Sequence, residues 1–68
     1  MNRDALIRIL RKLARKRRVL FEVDKKKGKG SHYWVMFDDK ITMVQDKLNP
    51  GRIERVLKQL ELTRADLE

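Results

Sequence analysis

No cysteine occurs in the 68 residues, which excludes a disulfide framework and any thiolate metal site. A lone histidine, His32, argues against a zinc site built from imidazoles, and no metal or other cofactor is expected. The apolar runs are only a few residues long, far short of the roughly 20 that a membrane-spanning helix needs. Charges alternate at the amino terminus where a secretion signal would be apolar, so a cytoplasmic protein with no membrane partner is expected. Acidic residues are scarce in the first half of the chain. Residues 1–30 hold twelve Lys/Arg against Asp4, Glu22 and Asp24, whereas residues 31–68 hold six against seven acids. Evenly scattered charge would serve solubility, but a one-sided excess within a net +8 is the electrostatic footprint of a polyanion binder. The basic segments lack the bulky apolar face that a membrane surface requires, so nucleic acid is the expected partner.

The length suits one small domain, residues 1–68, with an economical core. Residues 3–17 read as a helix. Leu6, Ile9, Leu10 and Leu13 fall at i, i+3, i+4 and i+7, Asn2 is placed to cap, and Asp4 suits the positive end of the helix dipole. Arg15, Lys16, Arg17 and Arg18 crowd the last turn, either as a solvated helix end or as a phosphate-contacting edge. Residues 19–24 then change to period 2, with Val19, Phe21 and Val23 on one side of a strand. A second strand is expected over residues 31–37 and a third over 41–45, with a tight turn at Asp38-Asp39-Lys40. Three strands with short connections imply an antiparallel meander. Asn49-Pro50 opens a second helix, whose stripe is Ile53, Val56, Leu57 and Leu60. Thr63-Arg64-Ala65-Asp66 has the form of a capping box opening a terminal turn. The expected class is therefore α+β, in the order α-β-β-β-α, with both helices on one face of the sheet and the other face open.

The stretch between the first two strands concentrates the chemistry. Lys25, Lys26, Lys27 and Lys29 supply cations, while Gly28 and Gly30 let a ligand approach the backbone closely. His32 arrives at the start of the second strand, directly after Ser31. Strand alternation places Ser31, Tyr33, Val35 and Phe37 on one face and His32, Trp34 and Met36 on the other. If the first set is core, Trp34 is a platform for stacking a base beside His32; if the second is core, Trp34 is packing. Ser31 either orients the imidazole or a phosphate, or simply satisfies the turn.

These residues carry a resemblance. A short basic chain of this order, with Lys29-Gly30-Ser31-His32 entering the second strand, Asn49-Pro50-Gly51-Arg52-Ile53 opening the last helix and Leu57-Lys58-Gln59-Leu60-Glu61-Leu62 closing it, resembles the HicA family of toxin–antitoxin ribonucleases. The resemblance spans nearly the whole chain. It implies a double-stranded-RNA-binding-like fold and an endoribonuclease that cleaves mRNA; acid–base chemistry by a histidine requires no metal, so a metal-independent reaction is expected. The resemblance also implies a HicB-like antitoxin partner that blocks the toxin, and a catalytic histidine corresponding to His32. Two features depart from the family pattern. A glycine followed by an aromatic usually precedes the first strand, where this chain has Arg18-Val19-Leu20-Phe21. A Val-Pro-x-His segment often follows the third strand, where this chain has Val44-Gln45-Asp46-Lys47. RNA binding is expected, from the chemistry of the loop, of Lys25, Lys26, Lys27, Gly28, Lys29, Gly30, Ser31 and Trp34. Two other readings compete: a non-catalytic RNA-binding module of the same fold, and a DNA-binding or ribosome-associated clamp.

Overall fold

A computed structural model describes residues 1–26 and 32–67. Lys27, Gly28, Lys29, Gly30 and Ser31, all expected site residues, lie outside the described residues. The order is α1 (Arg3–Arg17), β1 (Phe21–Asp24), β2 (Tyr33–Phe37), β3 (Lys40–Val44), α2 (Pro50–Gln59) and a terminal 3₁₀ turn (Arg64–Leu67). This is the α-β-β-β-α order that the sequence pattern implies.

Both helices begin on asparagine caps. The Asn2 side chain accepts the Ala5 N–H at 2.8 Å, and the Asn49 side chain accepts the Arg52 N–H at 2.8 Å, each satisfying a donor that the first helical turn leaves without a partner. Pro50 follows at the first helical position, where its missing N–H costs nothing. α1 ends on Arg18, whose φ of 58° and ψ of 44° are left-handed, and the Val19 N–H returns to the Ala14 carbonyl at 3.0 Å. That reversal occupies Val19 and Leu20, so β1 starts at Phe21, two residues later than the alternation of apolar residues predicts.

The strands form one antiparallel sheet in the order β1-β2-β3. Phe21 faces Phe37, Val23 faces Val35, Val35 faces Thr42 and Tyr33 faces Val44. These positions share one face, and α1 packs there against β1 while α2 packs against β3. The core joins Leu6, Ile7, Leu10 and Ala14 of α1 to Ile53, Val56 and Leu57 of α2, with Val35, Phe37 and Val44 beneath and Leu60 and Leu62 at the end. Both helices therefore cover the same face.

The stripe on α1 is rotated from the expected one. Ile7 and Ala14 are buried, whereas Ile9 and Leu13 are only partly so. Ile9 and Leu13 line a hollow shared with Lys12, Lys16, Asp66 and Leu67 beside the terminal turn, and Leu13 also packs against the core. A capping box holds that turn: the Asp66 carboxylate accepts the Thr63 N–H at 2.7 Å and the Thr63 hydroxyl at 3.2 Å. Its other oxygen pairs with the Arg17 guanidinium at 2.8 Å, tying the turn to the end of α1. Thr42 is the one polar residue among the buried ones described, and its hydroxyl bonds the Gln59 side chain, which links β3 to α2.

Candidate nucleic-acid interface

The sheet register decides which face each candidate occupies. Tyr33, Val35 and Phe37 face the helices, so Trp34 and Met36 lie on the opposite, uncovered face. Trp34 is therefore not a core residue. It stands between Asp24 of β1 and Met43 of β3, while Met36 stands between Glu22 and Ile41. Ile41 is 53% exposed and Met43 37%, and Leu20, just ahead of β1, is 69% exposed. The open face is thus an apolar strip bordered along β1 by two carboxylates. The sequence pattern points to an open face but does not show how apolar it is.

His32 immediately precedes β2 with the parity of Trp34 and is partly buried. Lys25 and Lys26 leave β1 at the same end of the sheet. The Asp24 carboxylate accepts the Lys26 N–H at 2.9 Å, which turns the chain away from the ladder. The lysine ammonium of Lys25 lies 5.6 Å from the Tyr33 ring centroid, and the Arg3 guanidinium lies over the same ring at 3.6 Å. Tyr33 on the core side thus collects two cations, each such contact being worth about 0.5–1 kcal/mol at an exposed site. Arg3 is held from its other side by Asp46 at 3.4 Å. The structure therefore brings His32, Trp34, Lys25 and Lys26 to one end of the sheet.

A second cationic surface is the more extensive one among the described residues. Arg8, Arg11, Lys12 and Arg15 recur at i, i+3, i+4 and i+7 on the exposed side of α1. They line a shallow depression of about 340 Å³ together with Ile9. Arg11 is also positioned by Phe21, its guanidinium carbon lying 5.6 Å from the ring centroid. Among the described residues the ion pairs are Arg3–Asp46, Arg17–Asp66, Lys40 with Asp39 and Glu61, and Arg64–Glu54. None of them involves the four cations of the stripe. The basic end of α1 resolves accordingly: Arg17 has a structural partner, and Arg15 belongs to the stripe. The sequence signal was present, since four cations repeat with the helix period, but it is masked by Lys16, Arg17 and Arg18, which make the region read as a cluster at the helix end.

Fold and surface together define a small basic α+β protein with two unlike faces, one apolar and edged with carboxylates, the other cationic along a helix. No family model, curated protein or solved structure matches the chain. Among the described residues no group of three His, Asp or Glu side chains is arranged to hold a metal ion, and no helix is long and apolar enough to cross a membrane.

Proposed function

We propose that this chain is a cytoplasmic, metal-independent endoribonuclease toxin of the HicA type, cleaving mRNA with His32 and neutralised by a HicB-like antitoxin. The observation that carries the reading is the chain's one imidazole immediately before β2, with Trp34 next along the same face and Lys25 and Lys26 following β1 at that end of the sheet. RNA cleavage needs the 2′-hydroxyl, or a water, deprotonated and the leaving oxygen protonated. An imidazole serves either role near neutrality. One positioned acid–base group supplies about 10²–10⁴-fold, or roughly 3–5 kcal/mol of barrier. The rest falls to positioning and to cations on the phosphate oxygens, the role assigned to Lys25 and Lys26 and, from the sequence, to Lys27 and Lys29. Gly28, Gly30 and Ser31 are assigned backbone or hydroxyl contacts to the phosphate.

The test is induced expression of the wild type and of His32→Ala, with growth and RNA integrity followed together. Growth arrest with RNA cleavage in the wild type, and neither in the variant, is the expected result. Cleavage that persists unchanged in His32→Ala removes His32 as the catalyst. Cleavage is also expected to survive excess chelator, and its loss there would refute a metal-independent reaction.

The α1 stripe favours a second reading, a non-catalytic RNA-binding module, because four exposed cations with no ion pair among the described residues serve binding with no need of an imidazole. Under that reading purified protein binds RNA tightly and leaves it intact.

A further inference from the structure

The geometry points to a phosphate track on α1: we propose that Arg8, Arg11, Lys12 and Arg15 bind the sugar–phosphate backbone of the RNA, outside the His32 region. The inference rests on the RNA-binding part of the proposed function and names a surface which that reading does not require.

Four observations carry it. The first is periodicity. The four side chains share one helical face and span seven residues, about 10 Å of helix axis, against roughly 3.4 Å of axial rise per phosphate along one nucleic-acid strand. The stripe is long enough to meet about three phosphates.

The second is electrostatic. Arg8–Lys12 and Arg11–Arg15 are like-charge pairs at i, i+4, which repel each other on the helix surface. None of the four has an ion pair among the described residues to offset this. A polyanion laid along the stripe turns that repulsion into attraction.

The third is position. α1 packs against β1, with Arg11 over Phe21 near the start of the strand and Arg3 over Tyr33 near the far end, where Lys25 also meets the ring. The helix therefore runs along the strand whose end delivers Lys25 and Lys26. A backbone on the stripe can continue toward those lysines along one side of the molecule.

The fourth is what the remaining surface refuses. The open sheet face carries Glu22 along β1 and exposed Ile41 and Met43 along β3, which repel phosphate or offer it nothing. The backbone is steered to the helix side, leaving the edge beside His32 and Trp34 to meet a base.

The experiment compares four forms of the full chain, all carrying His32→Ala so that the RNA stays intact. They are otherwise unaltered, R8Q/K12Q/R15Q, the charge-retaining R8K/K12R/R15K, and K25Q/K26Q. Arg11 is kept because it packs on Phe21. Binding to a labelled mixed-sequence single-stranded RNA is followed by fluorescence anisotropy across a salt series, with circular dichroism confirming that each form is folded. Loss of three single-strand phosphate contacts lowers the salt slope by about 2, and at 0.1 M salt weakens binding by up to about 100-fold relative to the unaltered chain. The charge-retaining form should bind as the unaltered chain does. An unchanged slope in the glutamine triple, with a lowered slope in K25Q/K26Q, overturns the track and leaves the His32-region reading standing. Absence of RNA binding by the unaltered form overturns both. Binding to anionic phospholipid vesicles that falls in the triple while RNA binding does not would also overturn the assignment to RNA.

Discussion

Replacing Trp34 by alanine separates packing from recognition. Truncating a tryptophan sealed in a core costs about 3–5 kcal/mol. Trp34 is not sealed: it lies on the face away from both helices, partly buried between the side chains of Asp24 and Met43. What it loses is two cross-strand neighbours, worth about 0.2–1 kcal/mol each, and part of its own burial. The expected destabilisation is therefore about 1–2 kcal/mol, read by urea unfolding. Leu57→Ala supplies the comparison on the covered face. Leu57 is 1% exposed in the centre of the core, so its truncation should cost about 2–5 kcal/mol. RNA affinity should show the opposite order. Loss of one base–aromatic stack costs about 1–3 kcal/mol, or roughly 5- to 150-fold in Kd. Leu57→Ala, measured where it is still folded, should leave Kd unchanged. Both are best measured by anisotropy in the His32→Ala background, so that cleavage does not intrude. A stability loss above about 3 kcal/mol for Trp34→Ala would refute the placement on the open face. An unchanged Kd would refute Trp34 as a base platform even with the placement correct.

Three further predictions follow from the termini and turns. Arg18 holds a left-handed backbone, φ 58°, at the end of α1, so Arg18→Gly should raise stability in urea by up to about 1 kcal/mol; a loss of stability would mean that the Arg18 side chain contributes more than its backbone costs. The Thr63 N–H and hydroxyl, then the Arg17 guanidinium, hold the Asp66 carboxyl below its ordinary value of 3.8. A depressed carboxyl contributes stability above its unfolded value that is lost as pH falls through the folded one, so acid should weaken the wild type below about pH 4 more steeply than it weakens Asp66→Asn. Parallel pH curves for the two proteins would contradict this. Thr42→Val keeps the shape and removes a buried hydroxyl whose partner, Gln59, is exposed and can turn to water; thermal unfolding should move by less than the equivalent of about 1 kcal/mol, and a larger fall would make the Thr42–Gln59 bond a principal tie between β3 and α2.

How legible the fold was depends on how locally each feature is determined. The α1 range, both asparagine caps, the proline start of α2 and the Thr63–Asp66 box follow from residues within one turn of each other, and the structure places them where the pattern puts them. The α2 stripe was legible because the helix packs on one side only. The α1 stripe was legible in part: Leu6 and Leu10 are fully buried and Leu13 packs against the core, but Ile7 and Ala14 are buried as well, and Ile9 and Leu13 also line the hollow under the terminal turn. A helix with two partners shows a broad apolar arc, and periodicity alone does not say which partner owns which edge. The face of Trp34 was equally undetermined. Tyr33-Trp34-Val35-Met36-Phe37 is apolar throughout, so alternation carries no sign, and only pairing with Phe21, Val23, Thr42 and Val44 picks a side. That His32, Lys25 and Lys26 fall at one end of the sheet was readable because they lie at the adjoining ends of an antiparallel pair. The stripe Arg8-Arg11-Lys12-Arg15 was readable in principle from its helical spacing, but the lack of ion pairs for these four among the described residues is something no sequence displays.

That property also explains where the net charge of +8 sits. The pairs Arg3–Asp46, Arg17–Asp66 and Lys40–Glu61 each join segments distant in the chain: the start of α1 to the segment after β3, the end of α1 to the terminal turn, and β3 to the residues following α2. Arg17–Asp66 and Lys40–Glu61 are at least partly exposed, and pairs of that kind are worth at most about 1 kcal/mol each, whereas the Arg3 side chain is largely buried. The carboxylates of β1, Glu22 and Asp24, were not placed toward α1, although α1 lies against that same strand; strand parity sends them to the opposite face while Phe21 and Val23 meet the helix. Shifting β1 by one residue would reverse this, burying the carboxylates against the helices and exposing Phe21 and Val23. The apolar alternation that builds the core therefore also keeps the acids of β1 away from the cations of α1. One strand register thus sets both the packing and the separation of charge that a polyanion can use.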